Sequence, residues 1–450
     1  MRRAPSSTGG RRAFGKKINR RDFLRLSGAG LAGAALLGIG GCGGGGGVGG
    51  PTELVFSLFP DPSGSVQALI DQFNSENEGE IQVSWREMPA DSGQHFDQLN
   101  TEFQSGEINI DVIGGDVIWP AQFAANGYIA DLSDRFAESE RNKYLPATIE
   151  ANTYKGAIYG VPWYIDAGML YYRSDLLEDS GFSEPPRTWD ELKQQAQKVQ
   201  QDSGTKNGFV FQGANYEGGV VNALEYIWTS GGDILRGEDE VVVDSPEARR
   251  GLETERSMVD DGISPSAVTQ NKEQEAATTF LGGDAVFMRN VPRFYALASK
   301  PEESSISPSQ IGVAALPVAE EGLQSYSALG GWNFFLNAGS SNPDAAYEFI
   351  RFMSDPEQQK YRAIEGSVLP TRQELYDDEE LLEQVRVAEL GKDAINNVRP
   401  RPVSPFYSDM SLRMGKAFNE SLNGETSPEE ALSTLQGELE QIIEQGQGRA

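Results

Sequence analysis

Residues 54–73 read LVFSLFPDPSGSVQALIDQF, and this stretch decides the fold class. It begins with a short apolar run from Leu54 to Leu58, which is typical of a buried strand. A helix with one apolar face follows, because apolar residues recur at the i, i+3, i+4, i+7 spacing: Val66, Leu69, Ile70 and Phe73. The stretch therefore predicts a strand followed by a helix that packs on a sheet.

The same alternation continues further along the chain. A second strand is predicted over residues 81–85, a second helix around Phe96, Leu99 and Phe103, and a third strand over residues 110–113. The resulting β-α-β-α-β order indicates a parallel sheet, which binds ligands beyond the carboxyl ends of its strands.

Asp116 comes just after the third predicted strand, in the run Gly114-Gly115-Asp116-Val117. Its position favours a ligand contact at the carboxyl edge of the sheet. The other interpretation is a helix N-cap before residues 117–125, because an Asp side chain accepts hydrogen bonds from first-turn N–H groups. The local sequence leaves both interpretations open.

A second α/β region follows. Thr188 and Glu191 form a capping-box pattern that opens an amphipathic helix ending near residue 202. Further helices are predicted to begin at Ser245 and Asn342, and further strands cover residues 209–211, 284–288, 311–316 and 331–336.

From Pro405 onward the pattern is helical, with a predicted apolar face made of Leu432, Leu435, Leu439 and Ile442. The sequence therefore predicts an α/β fold of two lobes with a helical C-terminus.

The composition excludes several classes of protein. The chain has 450 residues, with 38 Lys and Arg against 67 Asp and Glu, and its formal net charge is −29. Such a charge repels phosphate backbones, so nucleic acid is excluded as a partner. With one Cys and one His, the chain cannot form an internal disulfide or a Cys-rich zinc cluster, and a His-based triad would have to use His95. No metal and no cofactor is expected.

The first 41 residues differ sharply from the rest of the chain. They hold nine of the 38 basic residues and one acidic residue, Asp22, before an apolar, small-residue run. This order is typical of an export signal, and the run is shorter than the roughly 20 residues of a membrane span. Arg20 and Arg21, followed by Phe23 and Leu24, resemble the twin-arginine export motif. The 29 basic and 66 acidic residues that remain give the exported part a net charge of about −37.

Cys42 follows Ile39-Gly40-Gly41 at the end of this signal. A cysteine in that place resembles a lipobox, in which the thiol is acylated and becomes the new N-terminus. A buried free thiol is the alternative, but the surrounding glycines offer no core to bury it. The sequence thus predicts a lipoprotein signal over residues 1–41 and a lipid-anchored, Gly-rich tether over residues 42–50.

Four segments carry a resemblance to a known family: GAIYGVPWYIDAGMLYYR at 156–173, GDAVFMRN at 283–290, LGGW at 329–332 and RPRPVSPFY at 399–407. In this order the chain resembles the extracellular sugar-binding subunit of a bacterial or archaeal ABC importer, and is most similar to trehalose/maltose-binding proteins. The resemblance implies a two-lobe periplasmic-binding-protein fold, type II-like, whose lobes are joined by crossing hinge strands. It places residues 51–166 and 332–368 in the N-terminal lobe, and residues 167–331 and 369–450 in the C-terminal lobe.

The resemblance also implies the ligand residues, which are Asp116, Tyr164 and Asp166 on the first lobe, Gly331 and Trp332 at a crossover, and Arg401 and Tyr407 on the second lobe. Carboxylates accept hydrogen bonds from sugar hydroxyls and a guanidinium donates to them, whereas the apolar sugar faces lie on aromatic rings. Further candidates are Asp61, Trp119 and Trp163. For the aromatic residues packing in a core remains an alternative, and for Arg401 an interlobe ion pair does.

Two positions depart from the family pattern. The family commonly has Trp-Pro where this chain has Val291-Pro292, which removes one stacking platform. Where the family places an acidic ligand near the first strand, this chain has Pro62 or Gly64, and Asp61 is the nearby carboxylate. A smaller or differently shaped glucoside is therefore an open alternative to the usual disaccharide.

The expected role is capture of a glucose-containing sugar between the lobes, hinge closure and delivery to a permease. The expected partners are a carbohydrate ligand, ABC permease subunits and, through the lipid anchor, the outer face of the cytoplasmic membrane, with the protein itself a monomer. An enzyme is not expected, although Asp116 and Asp166 leave a secreted glycosidase as an alternative. Binding of another glucoside, a glycerol phosphate or an oligopeptide is the other alternative.

Overall fold

The structure is a computed structural model that describes residues 50–237 and 239–448. The predicted export signal with Arg20 and Arg21, the lipidation site Cys42 and most of the tether lie outside the described residues. Within those residues, no helix is both long enough and apolar enough to cross a membrane.

The strands of the described part are β1 (Thr52–Leu58), β2 (Ile81–Glu87), β3 (Val112–Asp116), β4 (Thr153–Tyr154), β5 (Ala157–Ile158), β6 (Val161–Ala167), β7 (Met169–Arg173), β8 (Asn207–Val210), β9 (Leu235–Arg236), β10 (Glu240–Val241), β11 (Ala285–Asn290), β12 (Ile311–Ala314), β13 (Ser327–Leu336), β14 (Leu369–Pro370) and β15 (Val398–Arg399).

The helices are α1 (Ser65–Glu76), α2 (Ser92–Ser105), α3 (Pro120–Ala125), α4 (Glu138–Arg141), α5 (Pro146–Ala151), α6 (Ser174–Asp179), α7 (Trp189–Ser203), α8 (Glu217–Thr229), α9 (Pro246–Asp260), α10 (Glu273–Leu281), α11 (Arg293–Leu297), α12 (Pro343–Ser354), α13 (Pro356–Gly366), α14 (Glu379–Gln384), α15 (Arg386–Leu390), α16 (Lys392–Asn396), α17 (Tyr407–Leu422) and α18 (Pro428–Gln447). Short 3-10 helices cover Ser266–Gln270, Pro308–Gln310 and Gln373–Asp377.

The first lobe is built on a sheet in the order β14-β6-β13-β3-β1-β2, with β15 paired to the start of β13. β1 is parallel to both β2 and β3, which confirms the predicted β-α-β-α-β unit. β13 is antiparallel to β3 and to β6, so a strand from late in the sequence lies in the middle of this sheet.

The second lobe is built on a four-stranded sheet in the order β12-β7-β11-β8. The predicted capping box is present at the start of α7, where Thr188 accepts from the N–H of Glu191 and the Glu191 carboxylate accepts from the N–H of Thr188. Fold class and helical C-terminus are thus as predicted.

Three apolar clusters hold the molecule together. One surrounds the first sheet, with Phe56, Phe73 and Phe349 in edge-to-face contact. A second surrounds the four-stranded sheet, and a third lies among α8, α17 and α18. On α18 the residue that is buried together with Leu432, Leu435 and Leu439 is Ile443, whereas Ile442, which the spacing predicted, is only partly buried.

Two strands pass between the sheets. β6 belongs to the first sheet and β7 to the second, and only Gly168 separates them. β13 runs beside β6, from Leu329 opposite Ala167 to Phe334 opposite Val161. This pair of neighbouring strands is the connection on which the candidate site lies.

Candidate functional site

Four of the sequence-predicted ligand residues lie side by side on three neighbouring strands. Trp332 of β13 pairs with Asp116 of β3 on one side and with Tyr164 of β6 on the other. Two residues earlier, Gly330 of β13 pairs with Asp166. The sheet register therefore brings together residues that are far apart in the sequence.

Gly331 has a backbone role in this arrangement. Its φ is 118°, and a Cβ built on it would lie 2.1 Å from the carbonyl oxygen of Tyr164. No side chain is tolerated at that distance, so a glycine is required for β6 and β13 to approach each other here. The register shift that follows, between Trp332 and Asn333, also lies at the site.

The Asp116 carboxylate is held from three directions. Ser92 donates its hydroxyl at 2.9 Å, the N–H of Ile118 donates at 3.3 Å, and Arg401 donates to Oδ1 at 3.3 Å. Burial raises the pKa of Asp116, the Arg401 charge opposes this, and the Glu217 charge adds to it. The residue ends β3 and does not cap a helix, since α3 begins at Pro120.

Asp166 is different, because its carboxylate has no hydrogen-bond or ion-pair partner among residues 50–237 and 239–448. Burial raises the pKa of Asp166, Arg293 opposes this, and the negative charge of Asp116 raises it further. A partly buried carboxylate without a partner is a strong acceptor that is available to a ligand hydroxyl.

Aromatic residues are neighbours of these two carboxylates in the sheet register, where Trp332 pairs with Asp116 and with Tyr164. The Trp332 ring packs against Phe59 at 4.6 Å, Trp119 at 5.3 Å and His95 at 5.4 Å between ring centroids. Burial raises the pKa of Tyr164, and the charge of Asp166 raises it further, so its hydroxyl stays protonated and able to donate. The rings of Phe59, Trp119 and His95 hold the Trp332 ring in one orientation.

Arg401 forms an ion pair, which is the alternative to a ligand contact that the sequence leaves open for this residue. It bonds Glu217 Oε1 at 2.5 Å as well as Asp116, and its side chain is 5% exposed. Tyr407 donates its hydroxyl to the same Glu217 oxygen at 2.7 Å, and Ser411 donates to the other oxygen. Burial alone would lower the pKa of Arg401, but Glu217, Tyr407 and Asp116 outweigh it and the pKa is raised.

Three further candidates are enclosed by other side chains of the protein, although Trp119 lies against Trp332 and Trp163 lies against Tyr164. Trp119 and Trp163 are 2% and 1% exposed, and both belong to the apolar cluster of the first lobe. Asp61 accepts hydrogen bonds from the N–H and hydroxyl of Ser63, from Ser65 and from the N–H of Val66, in the first turn of α1. Arg362 also forms an ion pair with the Asp61 carboxylate, at an N–O distance of 3.3 Å. The Asp61 carboxylate is thus occupied by the protein itself.

Sequence reasoning missed two charged residues of this region. Glu217 begins α8 and holds Arg401, Tyr407 and Ser411 in place. Arg362 lies over the rings of Trp163 and Tyr164, at 5.1 Å and 5.8 Å from their centroids. No motif marks either residue, although the position of Glu217 before Gly218-Gly219, at the start of a helical run, was a local signal.

The two sides of the site approach each other closely. A cavity of about 10 Å³ beside Arg401, roughly the space of one water molecule, is lined on one side by Val117, Ile118 and Ala121, and on the other by residues 400–403. Pockets for small organic ligands are commonly about 300 to 1,000 Å³. A disaccharide would therefore require the two sides to separate before it enters.

Comparison with known proteins agrees with the fold. The sequence profile of the bacterial extracellular solute-binding proteins matches residues 58–360. A relative from Deinococcus radiodurans, described as a "Probable ABC transporter-binding protein", is 34% identical over 368 residues, which cover 80% of this chain and 86% of the relative.

Two solved structures have the same architecture. T. maritima MalE3, solved with bound maltose, is 35% identical, has a TM-score of 0.77, and is matched over 87% of this chain and 100% of its own. The GacH receptor of Streptomyces glaucescens, solved unliganded and with acarbose, is 25% identical, has a TM-score of 0.74, and is matched over 88% of this chain and 99% of its own. The chain belongs to the family of bacterial extracellular solute-binding proteins.

Proposed function

We propose that the protein is the lipid-anchored, extracellular sugar-binding subunit of an ABC importer. It captures a glucose-containing di- or oligosaccharide between its lobes and delivers it to the permease when the lobes are closed. The observation that carries this proposal is the row Asp116, Trp332 and Tyr164 across three strands, with Asp166 two residues away and its carboxylate unpartnered by any described residue.

The chemistry of this row suits a sugar. A sugar presents neighbouring hydroxyls, which carboxylates accept from, and apolar C–H faces, which lie on aromatic rings. Among the residues that the structure describes, Arg401 is the basic side chain bonded within the row, and it is already neutralised by Glu217 and Asp116. A phosphorylated or strongly anionic solute would therefore meet uncompensated carboxylates.

The relatives support the same class of solute. The similar structures named above were solved with maltose and with acarbose, both of which contain linked six-membered rings. The relatives in these comparisons are binding proteins, which supports capture without chemical conversion. On this proposal, residues 51–166 and 332–368 move against residues 167–331 and 369–450, and the protein acts as a monomer.

Export and anchoring are part of the proposal. The basic leader with Arg20 and Arg21 directs export, Cys42 carries the lipid, and residues 43–50 form the tether. Growth in radiolabelled palmitate tests this directly, because a Cys42→Ser variant should lose both the label and its membrane fraction. A labelled Cys42→Ser protein would contradict the anchor.

The function is tested by calorimetry and thermal shift with maltose, trehalose, maltotriose, acarbose, sucrose and glucose, and with a dipeptide and glycerol phosphate as solutes of other classes. At one hundred times the dissociation constant a ligand stabilises the folded protein by about 2.7 kcal/mol. We expect a glucose-containing sugar to give such a shift and to be recovered unchanged. Recovery of hydrolysed sugar would favour a glycosidase, and a response to the dipeptide or glycerol phosphate alone would overturn the sugar proposal.

A further inference from the structure

A buried ion pair lies where the two crossing strands enter the second lobe. Glu225 of α8 and Arg289 of β11 form a bidentate pair, with N–O distances of 2.7 Å from Nε and 2.6 Å from a terminal guanidinium nitrogen. Their side chains are 2% and 4% exposed. Such a pair is costly to bury, so its position calls for an explanation.

The pair contacts both crossing strands. The Glu225 carboxylate accepts from the backbone N–H of Ala328 at 2.9 Å, near the start of β13. A Cβ built on Gly168, between β6 and β7, would lie 2.0 Å from the Glu225 carboxylate and 2.5 Å from the Arg289 guanidinium. The φ of Gly168 is outside the left-handed region, so the close approach of the pair is the reason for a glycine here.

The rest of the network lies within the second lobe or ties the two strands together. Arg289 donates its third bond to the Gln212 side chain at 3.0 Å, and the Gln212 amide donates to the Arg289 carbonyl at 3.0 Å. The Ser327 hydroxyl donates to the carbonyl of Gly168 at 2.5 Å. These charged side chains thus fix the crossing strands to α8 and β11 at the ends that enter the second lobe.

Beyond this point β13 continues through Gly330 and Gly331 to Trp332, while β6 presents Asp166 opposite Gly330. Neither glycine has a side chain that restricts rotation of the backbone. Any change in the angle between the lobes therefore falls on the segment next to the candidate ligand residues, because the other end is held.

We propose that Glu225 and Arg289 are positioning residues that anchor the hinge: they hold Gly168 and Ala328 to the second lobe, so that closure bends the crossing strands at Gly330 and Gly331. This inference rests on the proposed function, because it assumes that the lobes close on a sugar. Neither residue touches the ligand in this proposal, and both act through the strands that carry Asp166 and Trp332.

Two variants test the anchor without leaving one buried charge alone. Gly168→Ala places a methyl group against the pair, and the double variant Glu225→Leu with Arg289→Met replaces both charges by apolar groups of similar volume, an exchange that proteins commonly tolerate. The matched control is Arg173→Met with Asp175→Leu, which removes another bidentate pair of the second lobe, at 2.6 Å and 2.7 Å, where β7 ends. The measurements are maltose affinity by calorimetry, small-angle scattering with and without maltose, and amide exchange at Ala328.

We expect both anchor variants to fold, to bind maltose about tenfold more weakly, and to show a larger free-state radius of gyration, because fewer free molecules then have the binding geometry. Exchange at Ala328 should rise at least tenfold, and the control should behave like the parent. Parent-like affinity and exchange in both variants would overturn the anchor, and so would unfolding of both while the control stays folded. If the unsubstituted protein binds no sugar, the proposed function is contradicted. The amide exchange rate at Ala328 would still show, without a sugar, whether Glu225 and Arg289 hold β13.

Discussion

Arg401 donates a hydrogen bond to Oδ1 of Asp116 at 3.3 Å, although the two residues are 285 positions apart in the sequence. The same guanidinium bonds Glu217 at 2.5 Å. One side chain thus joins the end of β3 to the start of α8, and it holds the two sides of the candidate site together.

Arg401→Ala should therefore weaken both folding and binding. It leaves the Asp116 carboxylate, which is 13% exposed, and the Glu217 carboxylate, which is 31% exposed, without their cation, for which a loss of about 2 kcal/mol in the free energy of unfolding is expected. The matched control is Arg399→Ala, two residues earlier, where the ion pair with Asp233 is about one-third exposed and should contribute at most about 1 kcal/mol. Urea denaturation and calorimetry check both variants, and equal losses in the two would contradict the role given to Arg401.

Asp166→Asn and Asp61→Ala should give opposite results, although both residues were predicted ligands. Burial raises the pKa of Asp166, so its negative charge is unfavourable in the folded state. Removing that charge should lower sugar affinity about tenfold to a hundredfold without lowering stability. Asp61→Ala should leave affinity unchanged and cost about 3 kcal/mol of stability, because it removes hydrogen bonds at the start of α1 and leaves the buried Arg362 guanidinium without its carboxylate. A loss of affinity in the Asp61 variant alone would reverse these assignments.

Glu255→Gln should change how stability depends on pH. Glu255 is buried on α9, and burial raises its pKa from 4.5 to about 8. A raised pKa means that the folded state binds the proton more tightly, so stability is lost as the pH rises from 4.5 to about 8, by on the order of 4 kcal/mol. The variant should lack this loss. Glu253→Gln, an exposed position on the same helix, is the control, and denaturation curves at pH 5 and pH 8 make the comparison.

His95 should titrate far below an ordinary histidine. Neither ring nitrogen has a partner among the described residues, and burial, with the charge of Arg86, lowers the pKa to about 4. A lowered pKa means that stability is lost as the pH falls from 6.5 to about 4, and His95→Phe should abolish this loss. Because His95 is the one histidine of the chain, its two ring C–H signals can be followed in a proton NMR titration without overlap from another histidine. A midpoint near 6.5 would show that the ring is not buried as described.

Local spacing was sufficient for most of the elements. The i, i+3, i+4, i+7 pattern from Val66 to Phe73 gave α1, and Thr188 with Glu191 marked the start of α7. These patterns involve residues only a few positions apart, so they can be recognised without knowledge of the fold. The boundaries were less exact, since β3 extends to Asp116 and β13 begins at Ser327.

The residue types of the candidate site were also visible in the sequence, through the resemblance at 156–173, 329–332 and 399–407. The sequence did not show which carboxylate is available to accept a hydrogen bond from a ligand. Asp61 and Asp166 are the same residue type, but the first is bonded by α1 and Arg362, and the second lies opposite Gly330 without a partner in the described part of the chain.

The sequence by itself determined the α/β class, the order of the elements, the family resemblance and the acidic character of the chain, because each depends on local spacing, motifs or composition. Only the tertiary structure decided that Arg401 reaches Asp116, that Glu217 holds Arg401 and Tyr407, and that Glu225 and Arg289 lie against Gly168. Those contacts join residues more than a hundred positions apart in every case but one, the 57-residue step from Gly168 to Glu225. Their partners are set by sheet register and helix packing, which no short stretch of sequence specifies.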